Sequence, residues 1–167
     1  MNRVSAAIAS AIFFILAPGT VAGVLPWLIS GWALRPAFLG EWTRMAGVAL
    51  AAAGLFALVD SFGRFAFQGL GTPAPVLPTK HLVMTGLYRH VRNPMYVAVV
   101  ALVLGQALLL SDWRLLAYAA AVWLGFQAFV TMYEEPALRE SFGEDYEVYC
   151  RGVRRWWPRL SPWRSLS

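Results

Sequence analysis

The segment between Tyr88 and Tyr96 places cations, aromatic rings and a helix-start signal directly before a long apolar run. Asn93 followed by Pro94 is typical of an N-cap and a first helical position, because Asn can accept from unpaired amides and Pro has no amide hydrogen to lose. The residues that follow, 95–110, carry no charge. The positive end of this helix therefore faces polar groups at a membrane surface, which predicts a site for an anion or a zwitterion.

The composition indicates an integral membrane protein. Hydrophobic residues make up 59% of the 167 residues and charged residues only 14%, which is too apolar for a soluble domain of this length. The net charge of +5 does not predict nucleic-acid binding, because the arginines lie beside hydrophobic segments and no nucleic-acid motif accompanies them. The single cysteine, Cys150, excludes an internal disulfide framework and a multi-cysteine metal site, and no metal is expected.

Apolar stretches separated by short polar segments predict an all-α membrane protein with about four transmembrane helices. The residues between 136 and 153 repeat apolar side chains at spacings of three and four, which predicts an amphipathic C-terminal helix in the cytoplasm. We expect one integral membrane domain over residues 1–167. The predicted spans cover residues 4–32, 42–62, 94–110 and 115–132.

The orientation of the chain follows from its basic residues. With these spans, eleven Lys and Arg residues fall on one side of the membrane and three, Arg35, Arg44 and Arg114, on the other. Loops rich in Lys and Arg stay in the cytoplasm. We therefore expect both termini and the polar cluster to be cytoplasmic, in what we take to be a bacterial inner membrane.

The last two predicted spans must be antiparallel neighbours, because only residues 111–114 join them. This arrangement brings Glu134 and Glu135 toward Arg92 and Asn93. The charges alone fit a structural ion-pair network in a non-catalytic membrane protein that binds lipid or stabilises a partner. They also fit a cosubstrate that carries an amino group, a carboxylate and a flat base, each with its own partner in the cluster.

Several motifs follow one another in a fixed order along the C-terminal half. They are His81-Leu82-Val83, Gly86, Tyr88, Arg92-Asn93-Pro94-Met95-Tyr96, Glu134-Glu135, Leu138, Phe142-Gly143, Tyr146, Tyr149 and Trp157-Pro158. This ordered set resembles the isoprenylcysteine carboxyl methyltransferase and phospholipid methyltransferase group of integral membrane enzymes. The resemblance implies a cofactor-binding portion over residues 81–158, S-adenosylmethionine as methyl donor, and a lipidic or apolar acceptor that enters from the bilayer.

The same resemblance, together with the residue types, gives a set of candidate site residues. The expected cofactor-binding residues are His81, Gly86, Tyr88, Arg92, Asn93, Pro94, Tyr96, Glu134, Glu135 and Tyr146. Three of these, Arg92, Asn93 and Glu135, are expected to act in catalysis. The acceptor group stays open between a carboxylate, a thiol and an amine. A carboxylate needs no base, whereas an amine or thiol must lose a proton, for which His81, His90 or a glutamate are the candidates.

Overall fold

A computed structural model describes residues 3–68 and 82–164. These residues form helices and turns without a strand, which confirms the prediction of an all-α fold. The helices are α1 (Arg3–Gly19), α2 (Leu25–Ser30), α3 (Glu41–Gln68), α4 (Pro94–Leu110), α5 (Trp113–Phe129) and α6 (Glu135–Gly152). A π-helical turn, Thr20–Val24, joins α1 to α2, and a second, Val130–Glu134, joins α5 to α6.

Three helical stretches of the described residues are long and apolar enough to cross a membrane: Ala11–Ser30, Glu41–Arg64 and Trp113–Gly152. The helix α4 is a shorter apolar helix of 17 residues. The third stretch is 40 residues long, about 60 Å at the rise of an α-helix and twice the thickness of a bilayer core. Only its apolar first part, α5, is therefore needed to span, and α6 continues beyond it.

Small residues let α3 and α4 approach closely. A Cβ atom added to Gly105 would lie 2.6 Å from the backbone nitrogen of Ala51, and one added to Gly47 would lie 2.7 Å from the carbonyl oxygen of Gly105. Backbone atoms cannot move aside as a flexible side chain can. The contact therefore requires glycine, as at other close helix crossings in membranes.

Replacing Gly105 by alanine is expected to destabilise the protein by about 1 to 3 kcal/mol, because the new methyl group overpacks this contact. The matched control is Gly63→Ala in α3, where a Cβ meets nothing within 4 Å. That change should leave the protein unaffected or slightly more stable, since alanine favours a helix. Thermal unfolding in detergent, followed by tryptophan fluorescence, separates the two variants. Equal melting temperatures would show that the contact does not require glycine.

The connection between α4 and α5 is a tight capped turn. Ser111 adopts a left-handed conformation with φ 55°, and the Asp112 carboxylate accepts a hydrogen bond from the amide of Arg114 at 3.0 Å, as an N-cap does. The two helices are therefore antiparallel neighbours, as predicted. Pro94 at the start of α4 and Glu134 beyond the end of α5 lie at the same end of the bundle, called here the site end.

The helix α6 packs one face against the rest of the site end. Tyr146, Tyr149 and Val153 are buried there and contact Leu82 and Trp163 among others. This confirms the predicted amphipathic face. Gly143 has φ 51° and ψ −124° inside the helix, a conformation that side chains with a Cβ rarely adopt. The regular helix is therefore interrupted at this glycine.

Candidate functional site at one end of the bundle

The short 3₁₀ helix Gly86–Arg89 brings Tyr88 and Arg89 to the site end. Gly86 has φ 55°, and a Cβ there would collide with the side chain of Arg64. That arginine is held in turn by Asp60, with Nε and Oδ2 2.8 Å apart. The left-handed backbone conformation at residue 86 therefore favours glycine, whereas the side chain of Arg64 could move aside for a Cβ.

The C-terminal tail, residues 153–164, covers this segment from the other side. The amide of Arg92 donates to the carbonyl oxygen of Arg154 at 2.9 Å, and the amide of Arg159 donates to that of His90 at 2.9 Å. The Nδ1 atom of His90 lies 2.7 Å from the Arg159 carbonyl oxygen. Because a carbonyl only accepts, Nδ1 carries the proton of a neutral His90. This histidine, one of the expected bases, therefore holds the tail.

Asn93 occupies the N-cap position of α4, with Pro94 next to it, but its side chain caps no helix amide. The expected capping interaction of Asn93 is therefore wrong. Its Nδ2 atom donates instead to the carbonyl oxygen of Arg155 at 3.2 Å. This acceptor belongs to the tail, far from Asn93 in sequence, so no local pattern could have predicted it. The side-chain amide bonds to the tail and not to the helix end.

Glu135 is 3% exposed and lies among three arginines. Arg155 donates to both carboxylate oxygens, from Nε at 2.6 Å and from Nη2 at 2.9 Å. Arg92 and Arg139 lie at 3.4 and 3.6 Å. The hydrogen bonds to Glu135 raise the pKa of Arg155, which keeps this guanidinium charged. Glu135 therefore has the position of a structural counter-ion, and its expected catalytic and cofactor-binding roles stay predictions.

The guanidinium of Arg92 is only partly satisfied by the described residues. One of its nitrogens contacts Cys150 and another Glu135, but the buried Nε has no hydrogen-bond partner among the described residues. Around it, the three arginines face two carboxylates, since Arg139 also pairs with Glu147. An unpaired donor in a cluster with surplus positive charge fits a carboxylate group of a ligand. The residues present are thus compatible with the amino-acid part of S-adenosylmethionine.

Glu134 differs from its neighbour in its surroundings. Its Oε2 atom accepts a hydrogen bond from the hydroxyl of Tyr96 at 2.7 Å. Within residues 3–68 and 82–164, no Lys, Arg or His lies within ion-pair distance of Glu134. It is a partly buried carboxylate that lacks a cation in the described part of the chain. A ligand that carries an ammonium group would supply one.

The ring of Tyr96 lines an apolar cavity of about 610 Å³ that extends into the bundle from the site end. The volume lies within the range of small-molecule sites. The walls come from α1 to α5 and are almost entirely hydrophobic; they include Phe13, Val21, Leu58, Phe62, Met95, Val99, Val122 and Phe126. The Tyr96 hydroxyl joins the cavity wall to the Glu134 carboxylate. The cavity therefore has the volume and the lining that suit the apolar part of a ligand.

The remaining predicted site residues lie at the same end, as far as the structure describes them. Tyr88 is buried, and burial raises the pKa of its hydroxyl well above the ordinary value, so it stays protonated. Tyr146 is also buried, with Cζ of Arg139 6.0 Å from its ring centroid, close enough for a cation–π contact. His81, a predicted cofactor residue and candidate base, lies outside the described residues.

Two residues of the site were not among the predicted ones. Arg155 forms the bidentate pair with Glu135, and Trp156 donates from its indole to Oε1 of Gln127 and packs against Tyr96 with ring centroids 6.5 Å apart. The basic and aromatic character of this tail is typical of a location among lipid headgroups. The excess of arginines over nearby carboxylates is the sequence signal that could have indicated a role for the tail in the site.

Comparison with known sequences agrees with this geometry. A sequence model of the phospholipid methyltransferase family matches residues 42–145, more than half of the chain. The chain belongs to the phospholipid methyltransferase family. The match begins in α3, so the family pattern extends further toward the N-terminus than the resemblance over residues 81–158 suggested. The predicted membership in this group of membrane methyltransferases is confirmed.

One curated relative within this family is named phosphatidylethanolamine N-methyltransferase and comes from Zygosaccharomyces rouxii. It is 31% identical over 93 residues, which cover 54% of this chain and 11% of the relative. The chain therefore spans about a tenth of the length of the curated relative that it matches.

Proposed function

We propose that this chain transfers a methyl group from S-adenosylmethionine to the amine of a membrane lipid. The observation that carries the proposal is Glu134, a carboxylate that is hydrogen-bonded to Tyr96 in the wall of an apolar cavity and lacks a cation in the described part of the chain. An ammonium or amine head is attracted to this carboxylate, whereas a carboxylate acceptor is repelled by it. The name of the yeast relative, a methyltransferase that acts on phosphatidylethanolamine, supports an amine over a thiol.

The cofactor is expected to lie beside the arginine cluster. Its carboxylate fits the unpaired Nε of Arg92, and the amides at the start of α4 favour negative charge at the same end. Glu135 acts here by holding the arginines in place. The other predicted cofactor-binding residues are proposed to keep that role; they are His81, Gly86, Tyr88, Asn93, Pro94, Tyr96 and Tyr146.

The chemistry requires positioning and the removal of one proton. When bound, S-adenosylmethionine would supply a methyl group that is carried on a positively charged sulfur. The sulfur would be left as a neutral thioether once the amine nitrogen has taken the methyl group. Glu134 accepts the proton that the nitrogen must lose, and the Tyr96 hydroxyl fixes the orientation of that carboxylate. The apolar cavity holds the hydrocarbon part of the lipid, so that the nitrogen approaches in line with the breaking bond.

The site end is proposed to face the cytoplasm of a bacterial cell. Eleven of the fourteen Lys and Arg residues fall on that side when the apolar helices cross the membrane. The positive-inside rule then places both termini in the cytoplasm. This orientation gives the site access to a soluble cofactor.

Binding of S-adenosylhomocysteine to the purified chain, measured by titration calorimetry, tests the cofactor part. Arg92→Lys keeps a positive charge near Glu135 but removes Nε and the planar fork. We expect it to lower the affinity about tenfold, the value of one charge-assisted hydrogen bond, with little change in unfolding temperature. The control is Arg151→Lys, which changes an exposed arginine and should bind as wild type does. Folded wild-type protein without affinity would favour a non-catalytic lipid-binding protein instead.

A further inference from the structure

A second apolar cavity, of about 490 Å³, lies on a different face of α4. The first cavity, of about 610 Å³, is called here the acceptor cavity. On this helix it is lined by Met95 and Val99, whereas the second cavity is lined by Val97, Val100 and Leu104. At 100° per residue these two sets point in different directions. We call the second cavity the outer groove. Its other walls are provided by Leu50 of α3, Trp123 of α5, and Trp156 and Trp157 of the tail.

The shape of the outer groove suits one hydrocarbon chain. From Val97 to Leu104 it follows α4 for seven residues, or about 10 Å along the helix axis. It starts at the site end, beside Trp157, which is 75% exposed, and runs toward the middle of the bilayer. A ring at the surface and an apolar channel beneath it are suited to the upper part of a lipid acyl chain.

Two exposed cations lie close in sequence to the tryptophans that line the outer groove. Arg151 and Arg154 are exposed, and neither forms an ion pair within residues 3–68 and 82–164. The backbone of Arg154 is fixed by its hydrogen bond from Arg92, so this cation is held two residues from Trp156. A guanidinium binds a phosphate through paired hydrogen bonds, whereas the acceptor cavity leads to a carboxylate.

We propose that the outer groove is a binding site for an anionic phospholipid of the surrounding bilayer, separate from the acceptor site. The acyl chain occupies the groove between α4 and the tail tryptophans, and Arg151 and Arg154 bind the headgroup. The proposal does not depend on the identity of the acceptor. The two sites share one wall, Tyr96, so a lipid in the outer groove also packs against a residue that positions Glu134.

Native mass spectrometry of the full chain in detergent, with phosphatidylglycerol as the probe, tests this site. Phosphatidylcholine with the same acyl chains serves as the control lipid. We expect phosphatidylglycerol to bind at least about tenfold more tightly at low salt, and the Arg151→Gln/Arg154→Gln double variant to lose that advantage. Trp157→Ala should weaken both lipids, because it removes the apolar part of the mouth.

Three outcomes would overturn the proposal. The first is equal affinity for the two lipids, and the second is an unchanged preference in the arginine double variant. The third is a dimer that forms through this face and excludes lipid. It would be detected as a doubled mass together with cross-linking in the variant Val100→Cys. If either variant fails to fold, Val100→Trp, which fills the groove while keeping the arginines, must abolish the preference for phosphatidylglycerol. Retained preference in that variant would also overturn the proposal.

Discussion

Replacing Glu134 by glutamine is expected to lower the rate of methyl transfer to a lipid amine by about a hundredfold or more. This is the range that a positioned general base contributes. Glutamine keeps the size of the side chain and can still accept a hydrogen bond from Tyr96, but it can neither take a proton nor attract an ammonium group. The effect should therefore appear mainly in kcat, measured with radiolabelled S-adenosylmethionine and phosphatidylethanolamine vesicles.

The matched control for this prediction is Glu140→Gln, a change of the same kind at an exposed position of α6. It should leave the rate unchanged. Tyr96→Phe should give an intermediate loss, because Glu134 then remains but loses the hydroxyl that orients it. If Glu134→Gln retains the wild-type rate within about threefold, then Glu134 is not the base, and His81 becomes the strongest remaining candidate.

Replacing Glu135 by glutamine is expected to act on stability. Removal of one partner from a fully buried ion pair costs about 3 to 5 kcal/mol. We expect a smaller loss here, about 2 to 3 kcal/mol, because Arg139 and Arg155 reach solvent. The thermal unfolding temperature of the ligand-free protein in detergent measures this loss. The three arginines then repel one another without their shared carboxylate.

The control for this second change is Glu147→Gln, which also removes a carboxylate bonded to Arg139, at 2.7 Å. Both members of that pair are about half exposed, so the change should cost less than about 1 kcal/mol. A double variant, Glu135→Gln with Arg155→Met, should recover part of the loss as the unpaired cation disappears. Unchanged stability in Glu135→Gln would show that its primary role is in ligand binding, as the sequence suggested.

The sequence predicted those features of the fold that depend on local patterns. The four-residue connection between α4 and α5 made them antiparallel neighbours, and this placed Glu134 at the same end as Tyr96. The apolar spacing in α6 predicted the buried face that contains Tyr146 and Tyr149. Each of these follows from periodicity or loop length within a short segment.

The sequence did not predict the pairings that the tail makes. Arg155 lies 20 residues from Glu135, and Asn93 donates to a carbonyl 62 residues away, so no helical spacing relates either pair. From sequence, both adjacent glutamates were expected to bind the cofactor and only Glu135 to act in catalysis. Consecutive residues of a helix, however, point in directions about 100° apart. Glu135 therefore faces the arginines and Glu134 faces Tyr96. Their different roles depend on the tertiary packing alone.

The central claim is that Glu134 and the apolar cavity select a lipid amine for methylation. A competition experiment tests this most directly. The purified chain is incubated with S-adenosylmethionine and with mixed vesicles of phosphatidylethanolamine and a long-chain fatty acid. The products are identified by mass spectrometry. We expect methylated phosphatidylethanolamine, no methyl ester, and loss of the amine product in Glu134→Gln. Formation of the methyl ester, with phosphatidylethanolamine unmodified, would contradict it.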